Sequence, residues 1–323
     1  MDKSVSRREF LQLSSAALAA PLAGVPPKAS GVPAGGPFRG TFCFFSKPVP
    51  QFDWRELARS AKQAGFGGID LTVRRKGHVL PERAAADLPR AVGTIRDAGL
   101  EVPMITTELL SADDPTAEPI LGTASKLSIP YVKPGYYRYR FVNVLAELEA
   151  AGRQFRGLVA LGGKHGLQLG YHNHPNYIGE AIWDMFRVIQ PLDPRWCGFY
   201  YDLCQATMEG GVSGWRVSAN LVMPRLKMIA AKDFIWKQTG PHQWEAVACP
   251  MGHGMSHWKD YLRSVAQSGF HGPISLQEEF EIPGAADRSG VALSRAAAPQ
   301  VMSVAKQNLD YLKSVVQEAY AEA

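Results

Sequence analysis

Residues 165–174 read HGLQLGYHNH, and they contain the repeating unit of the fold in one short stretch. A helical pattern ends at Gly166, and glycine there supplies the left-handed residue that commonly stops a helix. A short apolar strand follows at 167–172 and runs into the polar segment His172–His174. The stretch therefore predicts a helix end, a buried strand and a polar strand end in succession.

The same unit recurs along the chain. Helical patterns at 54–64, 82–98, 142–165 and 258–268 are followed by glycine-bearing turns or loops and then by apolar runs. The predicted strands are 40–45, 68–73, 102–106, 131–134, 167–172, 198–203, 227–232 and 273–278.

Two of these strands, GIDLTV (68–73) and CGFYYDL (197–203), are nearly continuous apolar runs, as in parallel strands that are covered on both faces. Alternation of strand and helix predicts an α/β parallel sheet, and eight strands predict a single-domain (β/α)₈ TIM barrel. An open doubly wound sheet is the alternative. The lack of a GxGxxG turn after the first strand disfavours it.

The N-terminus has the layout of an export signal. Residues 4–20 read SVSRREFLQLSSAALAA, in which Arg7 and Arg8 precede a short apolar stretch and small residues. This resembles the twin-arginine pattern. An amphipathic surface helix is disfavoured because residues 11–23 lack a polar face. We expect residues 1–37 to be a signal peptide and linker, residues 38–323 to fold, and the twin-arginine machinery to export the protein to the periplasm.

Composition excludes several classes of protein. The chain has 323 residues, of which 46% are hydrophobic, enough for a large core. Its net charge of +5 comes from scattered Lys and Arg, without the clustered basic surface that nucleic-acid binding requires. No apolar run after residue 30 approaches the ~20 residues of a membrane-spanning helix. We therefore expect no nucleic-acid partner and no stable membrane span; a homo-oligomer is compatible with the sequence.

Barrel enzymes carry their chemistry at the carboxyl ends of the strands. The polar residues found there are Lys47, Arg74, His78, Glu108, Lys133, Tyr136, His172, His174, Asp202, Gln205, Lys232, Asp233, Gln277, Glu278 and Glu279. His172 and His174 are two residues apart and share one face of a strand. Together with the carboxylates of Asp202 and Glu279 they suit Zn²⁺, Mn²⁺ or a related ion. The alternative is that these histidines are hydrogen-bonded structural residues.

Other strand-end residues allow two interpretations each. Lys232 either stabilises an enolate oxygen or forms an ion pair with Asp233. His253 lies in the glycine-rich segment 249–255, which is either a loop that covers a substrate or a plain turn. We expect Glu278 to face away from the barrel interior, whereas Tyr136 and Trp236 are candidates for stacking on a sugar.

Several segments together resemble the sugar phosphate isomerase/epimerase family of the xylose isomerase-like TIM barrels, and in particular its twin-arginine-exported members. The segments are GIDLTVR (68–74), LGYHNHP (169–175), YYDLCQATMEGG (200–211), KDF (232–234), PMGHGM (250–255) and GPISLQEEFE (272–281). The resemblance covers about residues 38–315. It implies a divalent metal ion held by strands five to eight, and activities that include epimerisation, isomerisation, dehydration and cleavage of oxidised glycosides.

The resemblance also implies the metal ligands. Asp202 matches the ligand on the sixth strand, and Glu279, with Gln277 as second choice, matches the carboxylate on the eighth. On the fifth strand we expect His174, with His172 as second choice. The chain departs from the family on the seventh strand: many members read H-x-K-D where residues 230–233 read AAKD. The metal site therefore either has three protein ligands or is degenerate.

The sequence thus predicts a metal-dependent sugar isomerase, epimerase or lyase that acts on an unphosphorylated keto-sugar or oxidised glycoside. A divalent ion (Mn, Zn, Mg or Co) would polarise the carbonyl, and Lys232 would stabilise the enediolate. The candidate bases are Glu108, His172 and His253, and the candidate substrate-binding residues are Arg74, His78, Tyr136, Gln205 and Trp236. The alternatives are a noncatalytic carbohydrate-binding barrel with a degenerate metal site and a metal-dependent hydrolase.

Overall fold

The structure is a computed structural model that describes residues 36–279 and 298–323. The predicted signal peptide and linker therefore lie outside the described residues except for positions 36 and 37. No helix in the described part of the chain combines the length and apolarity that a membrane crossing demands.

Eight parallel strands form a closed barrel, in the order β1-β10-β7-β6-β5-β4-β3-β2. The barrel strands are β1 (Phe42–Phe45), β2 (Gly68–Val73), β3 (Glu101–Thr107), β4 (Tyr131–Lys133), β5 (Gln168–His172), β6 (Cys197–Asp202), β7 (Leu226–Ala231) and β10 (Ile274–Leu276). Pairing of Phe42 with Ile274 and of Phe44 with Leu276 closes the ring. The predicted single-domain α/β TIM barrel is confirmed.

Helices surround the barrel. Within the described residues they are α1 (Trp54–Ala64), α2 (Ala84–Asp97), α3 (Ala117–Lys126), α4 (Val144–Lys164), α5 (Trp183–Ile189), α6 (Leu203–Val222), α7 (Trp258–Gln267) and α8 (Ala298–Ala321). Helix α1 has the bounds predicted from the sequence. Asp53 and Glu56 form a capping box at its start, and Gly65 ends it with a φ of 94°.

The barrel interior combines apolar packing with one buried acid. Met104, Tyr200, Met228 and Ala230 form a core cluster separate from the larger one. Asp70, fully buried, accepts hydrogen bonds from the hydroxyls of Thr106 (2.7 Å), Ser275 (2.8 Å) and Tyr200 (3.3 Å). Burial raises the pKa of Asp70 to about 6, although the three hydroxyls oppose that rise.

An antiparallel hairpin, β8 (Asp233–Gly240) and β9 (Gln243–Cys249), follows β7 and lies outside the barrel sheet. None of the strands predicted from the sequence covers this hairpin. Asp233 accepts backbone N–H bonds from Gly252, Gly254 and Ser256, and so fixes the segment that follows the hairpin. The ion pair of Lys232 with Asp233, one of the two interpretations of Lys232, does not form: these amides, and that of Phe234, use the Asp233 carboxylate, and Lys232 pairs with Asp202 and Glu279.

Glu278 lies on the helix side of β10, where it accepts a hydrogen bond of 2.8 Å from Asn308 on α8. This agrees with the prediction that its side chain faces away from the barrel interior. Burial raises the pKa of Glu278 to about 8. Side chains therefore alternate at the end of this strand, which leaves Gln277 and Glu279 for the barrel mouth.

Candidate active site

A small, partly open cavity of about 50 Å³ lies at the carboxyl ends of the barrel strands. Its lining residues are Phe45, Lys47, Arg74, Thr106, Lys133, Tyr136, His172, His174, Tyr200, Gln277 and Glu279. Because these side chains come from β1 to β6 and from the end of β10, only the closed barrel brings them together. The cavity occupies the position at which barrel enzymes carry their active sites.

His172 is locked by two hydrogen bonds. Its Nε2 lies 3.0 Å from Asp202 Oδ2, and its Nδ1 lies 2.6 Å from the hydroxyl of Tyr136. A carboxylate only accepts, so Nε2 carries the hydrogen and Nδ1 accepts from the Tyr136 hydroxyl. Burial lowers the pKa of His172 to about 3, which keeps the ring neutral. No nitrogen of His172 is left to act as a base.

His174 differs from His172 because one of its ring nitrogens is open. Its Nδ1 lies 3.0 Å from the carbonyl oxygen of Pro175, which can only accept. Nδ1 therefore carries the hydrogen, and Nε2 presents a lone pair. Burial, followed by the charge of Lys232, lowers the pKa of His174 to about 4. A neutral imidazole with one unprotonated nitrogen thus lines the cavity.

Lys232 links the two predicted carboxylate ligands. Its Nζ lies 3.0 Å from Asp202 Oδ2, 3.0 Å from Glu279 Oε2 and 3.3 Å from Gln277 Oε1. Burial alone would lower the pKa of Lys232, but the two carboxylates together raise it well above its usual range. The ammonium donates hydrogen bonds to Gln277 and Glu279, and it pairs with Asp202 as a counter-charge. Lys232 is an internal cation that organises the site behind the cavity wall.

Glu279 is held between two lysines. Its Oε2 accepts from Lys232, and its Oε1 accepts from Lys47, which follows β1. Burial opposes ionisation of this carboxyl group, but Lys232 and Lys47 hold its pKa well below the usual range. Lys47 also lines the cavity. The Lys47 ammonium therefore has further N–H donors available on the side where a ligand would bind.

A chain of hydrogen bonds joins the barrel interior to this cluster. The Tyr200 hydroxyl donates to Asp70, Gln277 donates to Tyr200 (3.0 Å), and Lys232 donates to Gln277. These bonds fix the Gln277 side chain. Gln277, in addition to the two carboxylates, therefore holds Lys232 in position. Such fully connected networks hold a site in one arrangement.

Lys133 and Arg74 supply two further positive charges. Lys133 is 4% exposed, and its ammonium lies over the ring of Tyr136, 3.3 Å from the centroid. Burial first, and then the charge of Arg74, lower the pKa of Lys133 well below its usual range. Neither Lys133 nor Arg74 has a carboxylate partner among the ion pairs of the described residues.

A divalent ion held by His174, Asp202 and Glu279 does not fit this arrangement. The Lys232 ammonium already bridges the two carboxylates, and His174 bonds to a backbone carbonyl instead of joining them. Ala230, which is aligned with Asp202 on the neighbouring strand, supplies no ligand. In residues 36–279 and 298–323, no group of three or more His, Cys, Asp or Glu side chains could hold a metal ion. A side-chain cation takes the place that the resemblance gave to a metal.

Seven of the predicted site residues do not line the cavity. Lys232 and Asp202 lie behind it, in contact with Glu279 and His172, and the other five have separate contacts. Glu108 pairs with Arg75 at 3.3 Å, and His253 is exposed in a turn closed by Pro250. Trp236 is 42% exposed on the hairpin and packs edge-on against Phe234.

The other two of the five have different contacts. His78 bonds through Nδ1 to Thr72, 3.3 Å away, and lines a separate surface groove. Gln205 contributes its backbone N–H to Asp202 Oδ1, because Asp202 caps helix α6. Arg74 and Tyr136, in contrast, do line the cavity.

Lys47 and Lys133 line the cavity but were not assigned a role from the sequence. Each lies at the end of a predicted strand, so position alone could have indicated them. Lys47 pairs with Glu279, which is distant in the chain, whereas Lys133 contacts the ring of Tyr136, three residues further on.

Solved structures share this fold. A xylose isomerase-like TIM barrel protein from Mycobacterium smegmatis in complex with magnesium is 16% identical, with a TM-score of 0.67, over 87% of this chain and 98% of that chain. An L-ribulose 3-epimerase is 15% identical, with a TM-score of 0.64, over 88% and 96%. The probable 3-DHS dehydratase AsbF from Bacillus anthracis is 13% identical, with a TM-score of 0.61, over 83% and 98%.

At these identities the similarity concerns the fold. A sequence search of curated proteins gives no match. The profile described as "Xylose isomerase-like TIM barrel" matches residues 58–296, which is well over half of the chain. The protein therefore belongs to the xylose isomerase-like TIM barrel family.

Proposed function

We propose that the protein is a sugar isomerase, epimerase or lyase that removes a proton next to a carbonyl group in the cavity at the barrel mouth. One observation carries the proposal: His174, whose Nε2 is unprotonated, and Lys47 line the same cavity. The family and its neighbours, which include an epimerase and a dehydratase by name, support this class of reaction.

His174 is the proposed base. Its Nε2 lone pair is available because Nδ1 donates to the Pro175 carbonyl, and the low pKa keeps the ring unprotonated at neutral pH. A base must reach the proton that it removes, and His174 is the imidazole that has a free nitrogen at the cavity. The roles predicted for Glu108, His172 and His253 thus pass to His174.

Lys47 is proposed to stabilise the negative charge that develops on the carbonyl oxygen. A fixed ammonium group is effective when its N–H bonds point to the place where charge develops. Glu279 holds Lys47 through one oxygen, while Lys232 holds the other oxygen of the same carboxylate. Lys232, predicted to stabilise the enediolate itself, is proposed to position Glu279 and Asp202.

Deuterium exchange tests the proton-removal step. Keto-sugars and 3-keto-glycosides are incubated with the protein in D₂O, and loss of the α-hydrogen signal is followed by proton NMR. We expect exchange with at least one substrate, and a rate about 100-fold lower for His174→Gln, since general-base catalysis contributes 10²–10⁴-fold. His165→Gln is the matched control. His165 follows the end of α4, pairs with Glu118 on α3 and does not line the cavity.

The proposed reaction does not depend on a divalent metal held by His174, Asp202 and Glu279. Exchange is expected to survive treatment with EDTA, and metal analysis of the purified protein is expected to show no stoichiometric divalent ion. A stoichiometric ion that Asp202→Ala releases together with activity would contradict this part of the proposal.

A noncatalytic carbohydrate-binding barrel is the second candidate function. The observation in its favour is Ala230, which leaves the seventh strand without the imidazole of the H-x-K-D pattern. Sugar binding that is intact in calorimetry, without exchange of any α-hydrogen across the substrate panel, would favour this candidate over the enzyme.

Export through the twin-arginine route is proposed from Arg7 and Arg8. The unphosphorylated substrate follows from it, because sugar phosphates are mostly cytosolic. Cell fractionation tests this: we expect the full-length protein in the periplasm, and retention in the cytoplasm when both arginines are replaced by lysine. Equal distribution of the two forms would contradict it.

A further inference from the structure

Lys133 is a buried amine that pairs with no carboxylate among the described residues. It is 4% exposed and lines the cavity, and its Nζ contacts the Tyr136 ring. Within the described residues its Nζ donates no hydrogen bond, and the Thr107 hydroxyl donates to the backbone carbonyl of Lys133 instead. A cation–π contact offsets only part of the cost of burying an ammonium group. In this part of the chain, the charged form of Lys133 therefore lacks the partner that buried cations normally have.

Arg74 is a second cation with unused donors at the same cavity. Its Nε is buried and has no hydrogen-bond partner among the described residues. No ion pair of Arg74 occurs in the described part of the chain either, although the next residue, Arg75, pairs with Glu108. A guanidinium group presents its N–H bonds in a fixed fork that matches a carboxylate or a phosphate.

The charges that line the cavity do not balance. Lys47, Arg74 and Lys133 face one carboxylate, Glu279, and that carboxylate already pairs with Lys47. Asp70 lies below the cavity and favours the charged form of Lys133, but its oxygens accept from three hydroxyls. Among the described residues, neither the Arg74 guanidinium nor the Lys133 side chain therefore has an anion in direct contact.

We propose that Arg74 and Lys133 form a subsite for an anionic group of the substrate, which is a carboxylate if the protein is exported and a phosphate if it is not. The inference rests on the proposed function, since it names the chemical class of the sugar: an acidic sugar in place of a neutral one. The bound anion accepts the free N–H bonds of Arg74 and supplies the counter-charge that Lys133 lacks. The reacting carbon then lies on the side of the cavity that His174 and Lys47 line.

Calorimetric titration at low salt tests the subsite. The sugar probes are D-galactose, D-galacturonate and D-galactose 6-phosphate, which share their stereochemistry and differ in charge. Acetate and inorganic phosphate are added because their binding does not depend on the configuration of a sugar. We expect an anionic sugar to bind about tenfold or more tightly than galactose, the value of one charge-assisted hydrogen bond or more. Preference for the carboxylate or for the phosphate identifies the source of the anion.

Variants assign the preference to the subsite. Arg74→Gln and Lys133→Met are expected to bring the affinities for anionic and neutral sugar within about twofold, while Arg74→Lys, which keeps the charge, retains most of the difference. Arg75→Gln is the matched control and is expected to bind like the unaltered protein. Circular dichroism and thermal unfolding confirm that each variant is folded.

The inference is overturned if neither anionic sugar nor either simple anion binds, or if the preference survives Arg74→Gln. These outcomes are independent of catalysis. A protein that selects anionic sugars but never exchanges an α-hydrogen contradicts the proposed function and supports the subsite. A protein that exchanges the α-hydrogen but does not select anionic sugars supports the proposed function and contradicts the subsite.

Discussion

Lys232 determines how the residues at the barrel mouth act. It lies between two carboxylates, with Nζ–oxygen distances of 3.0 Å to each, and it also donates to Gln277. Asp202 is fully buried, so its charge requires this partner. Removing one member of a buried ion pair leaves an uncompensated charge, and the cost exceeds the net value of the pair.

Lys232→Met is therefore expected to destabilise the protein by about 3–5 kcal/mol. Urea unfolding at pH 7 measures the change. Lys306→Met is the matched control: Lys306 is exposed and pairs with Asp310 on α8, and the loss of such a surface pair costs less than about 1 kcal/mol. Equal stability of the two variants would mean that Lys232 does not bridge the carboxylates.

Asp70 gives a pH-dependent prediction. Its pKa in the folded protein is about 6, above the ordinary value of 3.8, so between these values the folded state holds the proton more tightly. The Asp70 contribution to stability is therefore present at low pH and is lost as pH rises through about 6. The unfolding free energy of Asp70→Asn, relative to the unaltered protein, should increase from pH 4 to 6 and then stay level.

Asp87 serves as the control, because its pKa is shifted in the opposite direction. A hydrogen bond from Arg83 lowers the pKa of Asp87, so Asp87 contributes stability above its unfolded pKa. Relative to the unaltered protein, Asp87→Asn should lose stability as pH rises. Parallel curves for Asp70→Asn and Asp87→Asn in urea titrations would refute the assignment of Asp70.

The sequence predicts which residues lie at the barrel mouth better than it predicts their roles. His172, His174, Asp202 and Glu279 were identified because strand ends converge in a barrel. Which nitrogen of His174 is free depends on a single carbonyl, that of Pro175. Contacts of this kind have no periodicity, so the role of His174 could not be read from the sequence.

At the scale of elements, the hairpin β8–β9 and the segment behind it are anchored by Asp233. Three amides, from Gly252, Gly254 and Ser256, donate to its carboxylate. The backbone comes so close at Gly254 that a Cβ atom there would lie 2.1 Å from Asp233 Oδ1. The segment after the hairpin thus depends on a glycine at this position.

Gly254→Ala is expected to destabilise the protein by about 1–3 kcal/mol, because the added methyl group displaces a buried acceptor from its donors. Thermal unfolding measures the effect. Gly93→Ala in α2 is the control: nothing lies within 4 Å of its added Cβ, and alanine in a helix is favoured by about 1 kcal/mol. A Gly254→Ala variant as stable as Gly93→Ala would contradict the close contact.

Barrel elements were predictable because each is a buried apolar run after a helix stop. Helix α1 has the predicted bounds, and β2 is buried throughout, as its apolar sequence indicates. The hairpin was missed because most of β8 is exposed and lacks that signal. Two short runs around the Gly240–His242 turn could have indicated it.

At the scale of the whole molecule, ring closure is what creates the site. Lys47 follows the first barrel strand and Glu279 follows the last, 232 positions apart, and the pairing of β1 with β10 brings them into contact. Lys232 then joins Glu279 to Asp202 on the opposite side of β7. Family membership predicts this convergence, but it does not predict the two ion pairs that Lys232 makes there.

The central claim is that the Lys232 ammonium, and not a divalent ion, occupies the space between Asp202 and Glu279. A crystal structure of the protein grown with Mn²⁺, with anomalous diffraction recorded near the manganese edge, tests it most directly. We predict electron density for Lys232 Nζ within hydrogen-bond distance of both carboxylates, and no anomalous peak there. A manganese peak ligated by Asp202, Glu279 and His174, with Lys232 displaced, would contradict the account.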